Sequence, residues 1–213
     1  MTFLLDLLSS SYPRDLMEGM VVNFNIAAIA LVLGMVLGAP LIFLQLLGRR
    51  WHGGSAALIG LMRAAPTFVV MFFLLNIIPK EFELLGMKLS LSGGLIVALS
   101  LVPYAASYIA DNGRAALEGL RSGSRAEALL LLPSLVRAYV VLVMSSSAGV
   151  AIGVNEGVTV VLRKADSFST TSEQLLVFAV GVFAFGAVFQ LGFALVRLMV
   201  HLLSDRRSGT SKA

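Results

Sequence analysis

Five long apolar segments, at residues 17–47, 56–78, 89–110, 135–162 and 174–203, dominate the sequence, and most charged residues are gathered in the intervals between them. About 20 apolar residues carry a helix across the hydrocarbon of a bilayer, and within lipid a chain must satisfy its own backbone hydrogen bonds. Helices do this segment by segment. The expected fold is therefore an all-α polytopic membrane protein with about five transmembrane helices in a single domain over 17–204, preceded by an interfacial segment at 1–16 and followed by a polar tail at 205–213. Composition agrees, since only 13% of residues are charged, about half the share of a soluble domain. Cysteine is absent, which removes disulfide frameworks and thiolate metal sites. The opening MTFLLDLLSSSYPRDLMEG has no basic stretch and Asp6 interrupts its apolar run, so no cleaved signal peptide is expected and the mature chain is read as starting near Met1.

Individual segments carry further signals. Gly34 and Gly38 form a GxxxG pair, which lets helix backbones approach closely, and Pro40 follows it. In the second segment Arg63 sits within Leu61-Met62-Arg63-Ala64-Ala65-Pro66. A buried arginine costs about 2.5–3.5 kcal/mol at a span centre, so it is read as anchored at the edge or held by a specific partner. A loop from Pro79 carries an amphipathic run to Lys88, and Pro103 is expected to kink the third span. The fourth segment is unusual, because Ser145, Ser146, Ser147, Gly149, Gly153, Asn155, Glu156, Gly157 and Thr159 fill its centre with small and polar groups. Such a span faces other helices or water. Glu156 has two readings: an intramembrane carboxylate with a function, or a group at a broken helix near the far surface that pairs with Arg163 or Lys164.

Between the third and fourth segments lies a polar, basic stretch at 111–134. It is longer than a connector needs to be. Asp111, Arg114, Glu118, Arg121 and Arg125 recur at spacings of three or four, which aligns them on one side of a helix. Ser122-Gly123-Ser124 then breaks the stretch into two short helices, an elbow shaped for docking. Basic residues set its side of the membrane. Arg49, Arg50, Arg114, Arg121, Arg125, Arg137, Arg206, Arg207 and Lys212 fall on one side, and Arg14, Lys80, Lys88, Arg163 and Lys164 on the other. The basic excess marks the cytoplasm, so the elbow and C-terminus are expected inside and the N-terminus outside. Nucleic acid is not an expected partner.

The run Tyr108, Ala110, Asp111, Arg114, Glu118 and Gly123 resembles the Y-x-A-E-x-x-R-G-x-x-x-x-x-x-x-G pattern of the membrane permease subunits of bacterial ABC importers of the polar amino acid class. Arg63-Ala64-Ala65-Pro66 resembles their RGTP motif, and the stretch from Gly19 to Asn23 their opening G-x-x-x-T; the resemblance extends over nearly the whole chain. It implies a type I importer fold in the bacterial cytoplasmic (inner) membrane. It also implies that 111–134 holds an EAA loop, a cytoplasmic coupling helix that inserts into a groove of an ATPase subunit. With Gly123 as anchor, the EAA positions fall on Ala126, Glu127 and Ala128; Arg121, Arg125 and Glu127 would pair with charges of the ATPase, while Ala126, Ala128 and Leu129 fill its groove. Asp111, Arg114 and Glu118 would form the scaffold of the loop. The motif is degenerate, since the family's later glycine falls on Leu132 or Pro133 and its Leu-Pro on Met144-Ser145.

The chain has no GxxxxGK[ST] phosphate loop, so no enzyme activity is expected of it, and ATP and Mg would be held by a separate ATPase dimer. Five spans are too few to enclose a pathway, which calls for a second permease copy or a paralogue, and the resemblance adds an extracytoplasmic solute-binding protein. For an amino acid ligand, Ser145, Ser146, Asn155, Glu156 and Gln190 are the pathway candidates, with hydrogen bonding between helices as the alternative use of these groups. The competing function is a stand-alone ion-coupled secondary carrier with Glu156 as its coupling site. A membrane enzyme is disfavoured, because His52 and His201 are isolated.

Overall fold

The computed structural model describes residues 2–47, 49–78, 81–84, 87–123 and 131–210. In chain order these form α1 (Thr2–Ser9), α2 (Tyr12–Leu46), α3 (Arg49–Ala64), α4 (Thr67–Ile77), a β-hairpin of β1 (Glu81–Leu84) and β2 (Met87–Ser90), α5 (Gly93–Arg121), α6 (Leu131–Ser146), a 3₁₀ turn (Ser147–Ile152), α7 (Gly157–Asp166) and α8 (Thr171–Thr210). Four stretches, Tyr12–Leu46, Gly93–Arg121, Leu131–Ile152 and Thr171–Ala194, are long and apolar enough to cross a membrane, and a bent pair of helices makes up to five. The protein is an all-α polytopic membrane protein, with the small antiparallel hairpin as its one strand pair among the described residues.

Three boundaries differ from the sequence expectation, each for a local reason. The second segment is not one straight span but two helices, Trp51–Ala64 and Thr67–Ile77, meeting at 91°. Pro66 has no N–H to continue the ladder and disfavours helical backbone at Ala65, and its own backbone is extended, with φ −70 and ψ 120. The loop after Pro79 is a hairpin that pairs Glu81 with Ser90 and Leu84 with Met87. The third span does not stop at Ala110: α5 runs on unbroken to Arg121, so Asp111, Arg114 and Glu118 belong to the spanning helix itself.

The core is the pairing of α2 with α5. Its buried stripe on α2 includes Asn23, Ile26, Ala27, Ala30, Gly34, Gly38, Ile42 and Gln45, a helical period of small and apolar groups. A Cβ on Gly34 would lie 2.4 Å from the Ala105 Cβ, and one on Gly38 would lie 2.8 Å from the Ala106 carbonyl oxygen. The GxxxG pair thus brings the two backbones together. Further along, Gly113 leaves room for Ile42. Position rises on both helices in step, from Ile26 beside Gly94 to Gln45 beside Arg114, so α2 and α5 run parallel, as the first and third spans must. Around this pair, Met71 of α4 and Leu142 and Val143 of α6 close one apolar cluster, and Ile59 of α3 with Leu41, Ile109 and Ala110 closes another. A third cluster, Leu7, Tyr12, Leu16, Met20, Val160, Val161 and Val177, binds α1, the start of α2, α7 and α8.

Candidate functional site

The fourth apolar segment breaks where its sequence turns small and polar. After α6 the 3₁₀ turn ends at Gly153, whose φ of 76 is left-handed backbone that glycine adopts without strain. The chain is then extended through Glu156 and restarts as α7. Glu156 is the N-cap of α7, where its carboxylate meets the unpaired N–H groups and positive dipole end of the helix. Its Oε2 accepts from the Val158 N–H at 2.9 Å and its Oε1 from the Thr159 N–H at 2.9 Å. The Thr159 hydroxyl lies 3.0 Å from Oε1 and 2.7 Å from the Val154 carbonyl oxygen, and its one proton serves either.

Asn23 of α2 completes the node. Its Nδ2 donates to Glu156 Oε2 at 2.9 Å and to Ser146 Oγ at 2.8 Å, and its Oδ1 accepts from the Gly157 N–H at 2.9 Å. Ser146 Oγ in turn donates to the Val143 carbonyl at 2.7 Å. Asn23, Ser146 and Glu156 are all 0% exposed. Glycine makes this approach possible, because a Cβ on Gly19 would stand 2.9 Å from Gly157 N, and one on Gly157 would stand 2.4 Å from the Phe185 ring. No described buried side-chain nitrogen or oxygen in the molecule lacks a partner.

Above the node opens a cleft of 550 Å³ between the first turns of α2 and the length of α7. Tyr12, Asp15, Glu18, Gly19 and Val22 form one wall, and Asn155, Val160, Arg163, Lys164 and Ser167 the other. Arg163 Nη2 donates to Asn155 Oδ1 at 3.0 Å, so Arg163 pairs with the residue beside Glu156 and not with Glu156 itself. Lys164 Nζ lies 5.3 Å from the centre of the Phe168 ring, a cation–π distance. Ser145 lines a different, 500 Å³ cavity with Thr67, Phe68, Met144, Ser147 and Ala148. Among the described residues no three His, Asp or Glu side chains converge as a metal site requires.

A second polar group occupies the other end of α2. Arg114 donates to Glu118 at 2.8 Å and to the side-chain Oε1 of Gln45 at 3.2 Å, and it lies 3.1 Å from His52 Nε2. One turn back on α5, Asp111 accepts from Arg63 Nη2, so the RAAP stretch and the spaced motif of α5 are joined by an ion pair. Asn23 and Gln45 stand roughly 33 Å apart along α2 at about 1.5 Å per residue, close to the ~30 Å of bilayer hydrocarbon. The two groups therefore stand about one hydrocarbon thickness apart along α2.

No protein-family model matches the sequence, and no curated protein matches it. A solved chain described as part of the crystal structure of an amino acid ABC transporter with histidines superposes on 91% of this chain and 97% of its own length, with a TM-score of 0.65 and 15% identity. The chain shares the fold of that solved chain. At that identity the likeness speaks for the fold, and the residues must be placed on their own geometry.

Within this fold the expected residues separate into groups. Ser146 and Glu156 meet in the buried node; Asn155 faces the cleft; Ser145 points to a different cavity; Gln190 is exposed on α8 and joins none of these. Arg121 closes α5 and Gly123 follows it with a left-handed φ of 83. Arg125, Ala126, Glu127, Ala128 and Leu129 lie outside the described residues. Sequence reading passed over Asn23, Asp15 and Glu18 as site residues. An amide near the start of a long apolar run, four residues from a glycine, was the available signal for Asn23, though Asn25 beside it shares the first of these features.

Proposed function

We propose that this chain is the membrane-spanning subunit of an ATP-driven importer for a polar amino acid or related small solute. The observation that carries the reading is the fold likeness, which extends over 91% of the chain to an amino acid ABC transporter. The chain would work with a second permease copy or paralogue, an extracytoplasmic solute-binding protein and a cytoplasmic ATPase dimer that holds ATP and Mg, in the bacterial cytoplasmic membrane. Hydrolysis then belongs to the ATPase, and this chain contributes the path and the coupling surface.

The coupling surface follows the C-terminal end of α5. Arg121, Arg125 and Glu127 offer charges to the ATPase, Ala126, Ala128 and Leu129 fill its groove, and Gly123 turns the chain between them. Asp111, Arg114 and Glu118 brace the stem through Arg63 and Gln45. A docked ATPase would bias inward-open against outward-open packing by its difference in contact energy with the two. The alternative of a stand-alone carrier coupled through Glu156 has less support, because both oxygens of that carboxylate are engaged by internal donors.

Purification from native membranes tests the reading. An ATPase should copurify, Glu127→Lys should reduce its recovery at least fivefold without loss of membrane insertion, and uptake should stop when hydrolysis is abolished. Uptake driven by this chain alone under an ion gradient would replace the importer with the carrier.

A further inference from the structure

In the sequence His52 stands alone, but the fold carries it to the side of α5. Arg114 Nη1 lies 3.1 Å from His52 Nε2 and donates at 3.2 Å to Oε1 of Gln45, which is 8% exposed. A guanidinium has no acceptor, so the contact with His52 requires an unprotonated Nε2, with the ring proton on Nδ1. Two polar contacts thus fasten α3 to α5, His52 with Arg114 near its start and Arg63 with Asp111 at its end, and the buried Ile59 shares a cluster with Ile109 and Ala110 between them. About 16 Å of helix separates the two anchors on α3, against about 5 Å on α5. Together with the 91° bend between α3 and α4, this spacing lays α3 across α5 as a strap, just before the end of α5 at Arg121.

We propose that His52 works as a proton-operated latch, its unprotonated ring holding the start of α3 to the α5 stem and its protonation letting that end go. Protonation removes the acceptor and sets a second cation against the Arg114 guanidinium. Among the described residues no carboxylate forms an ion pair with His52 to offset it. On α5, Glu118 is taken up by Arg114 Nε at 2.8 Å and Asp111 by Arg63; on α2 the facing group is the neutral amide of Gln45; on α3 itself Arg49 and Arg50, both cationic, precede His52 in the sequence. Arg114 keeps Glu118 and Gln45 when His52 leaves, so the stem stays folded while its strap loosens at one anchor. Imidazole changes its charge between about pH 5 and 8, whereas carboxylates ordinarily do so near pH ~4. The basic-residue count assigns this end of α5 to the cytoplasm, so the latch responds to acidification of that compartment. That a loosened strap also weakens the coupling of an ATPase to the spans rests on the importer reading.

The test is hydrogen exchange of the α3 backbone, read by mass spectrometry on the purified assembly with all copurifying chains retained and corrected for the intrinsic pH dependence of exchange. Between pH 7.5 and 5.5, protection over residues 53–58 should fall at least fivefold, and over 59–64, nearer the Arg63 anchor, less than twofold. His52→Gln, which offers Arg114 an acceptor at every pH, should flatten the profile, and His52→Lys, a permanent cation, should show the loosened strap at both pH values. A flat profile in the unsubstituted protein overturns the proposal. So does an equal fall in His52→Gln, which would assign the effect to Glu118 or Asp111. If His52→Lys does not assemble, the unsubstituted protein against His52→Gln decides. In proteoliposomes, acidifying the side that carries the Arg121 end should lower ATP-driven uptake at least threefold, and His52→Gln should abolish that fall; uptake that ignores pH while exchange follows it overturns the consequence for coupling. A pH-dependent profile in a preparation without an ATPase keeps the latch and removes the importer; a flat profile in an assembly that takes up solute with ATP does the reverse.

Discussion

The polar groups at the two ends of α2 are built in opposite ways. At the Asn23 end, Asn23, Ser146 and Glu156 are sealed from solvent and each bond closes on another. At the Gln45 end, the ion pairs are open: Arg63 is 59% exposed against 43% for Asp111, and Arg114 and Glu118 are 35% and 50% exposed. Exposed pairs contribute about 0–1 kcal/mol, whereas breaking a buried bond to a charged group costs about 1.5–3 kcal/mol and strands its partner. The first end is therefore a fixed joint. The second can exchange its partners at small cost, which suits a surface that must meet another protein.

Substitutions can break or sharpen that contrast. Asn23→Leu keeps the γ-branched shape, with more bulk, and removes three hydrogen bonds, leaving the Gly157 N–H and the Glu156 carboxylate short of partners. A loss of about 3 kcal/mol is expected, read as a large fall in the unfolding temperature of the detergent-solubilised protein; a shift within error would mean the node holds nothing. Gly157→Ala drives a methyl to 2.4 Å from Phe185. It should cost about 2 kcal/mol, and Phe185→Leu in the same chain should recover most of that, since the clash is with the ring; no recovery would move the strain to the backbone.

Glu156→Gln should have a smaller effect. One amide oxygen still accepts, but the NH₂ now faces a helix N–H, for about 1–2 kcal/mol. As a cap, Glu156 should leave the half-saturation concentration for transport unchanged in the folded protein; a marked change there would return this residue to the solute path. Arg63→Ala should be the mildest, at or below about 1 kcal/mol. A fall in stability as large as that of Asn23→Leu would erase the distinction between the two ends.

The spans were legible because lipid forces a long apolar run on any helix that crosses it, and the GxxxG pair pointed to a contact that Ala105 and Ala106 in fact fill. The breaks were harder. Pro66 was visible in the sequence, but a proline inside an apolar run kinks some helices and ends others, and the 91° turn depends on how α3 and α4 pack on α5. Residues 81–84 and 87–90 show the two-residue alternation of strands, yet runs of four are too short to separate from an amphipathic turn. For Glu156, sequence placed a carboxylate in an apolar segment but could not name its partner, since Asn23 lies 133 positions away and only the fold brings them together. The cleft escaped for the same reason: its acidic wall comes from the first turns of α2 and its basic wall from α7.

The continuity of α5 has a mechanical consequence. Twenty-nine residues without a break make a rod about 43 Å long, some 13 Å more than the hydrocarbon needs. The excess stands out as a stub ending at Arg121, and α5 stays helical through Pro103, the one position before it where the ladder lacks an N–H donor and the rod can flex. A tilt of about 5° imposed on the stub swings the opposite tip by about 4 Å, the width of a side chain. Motion delivered at one face would reach the other to the extent that the helix moves as one body through Pro103.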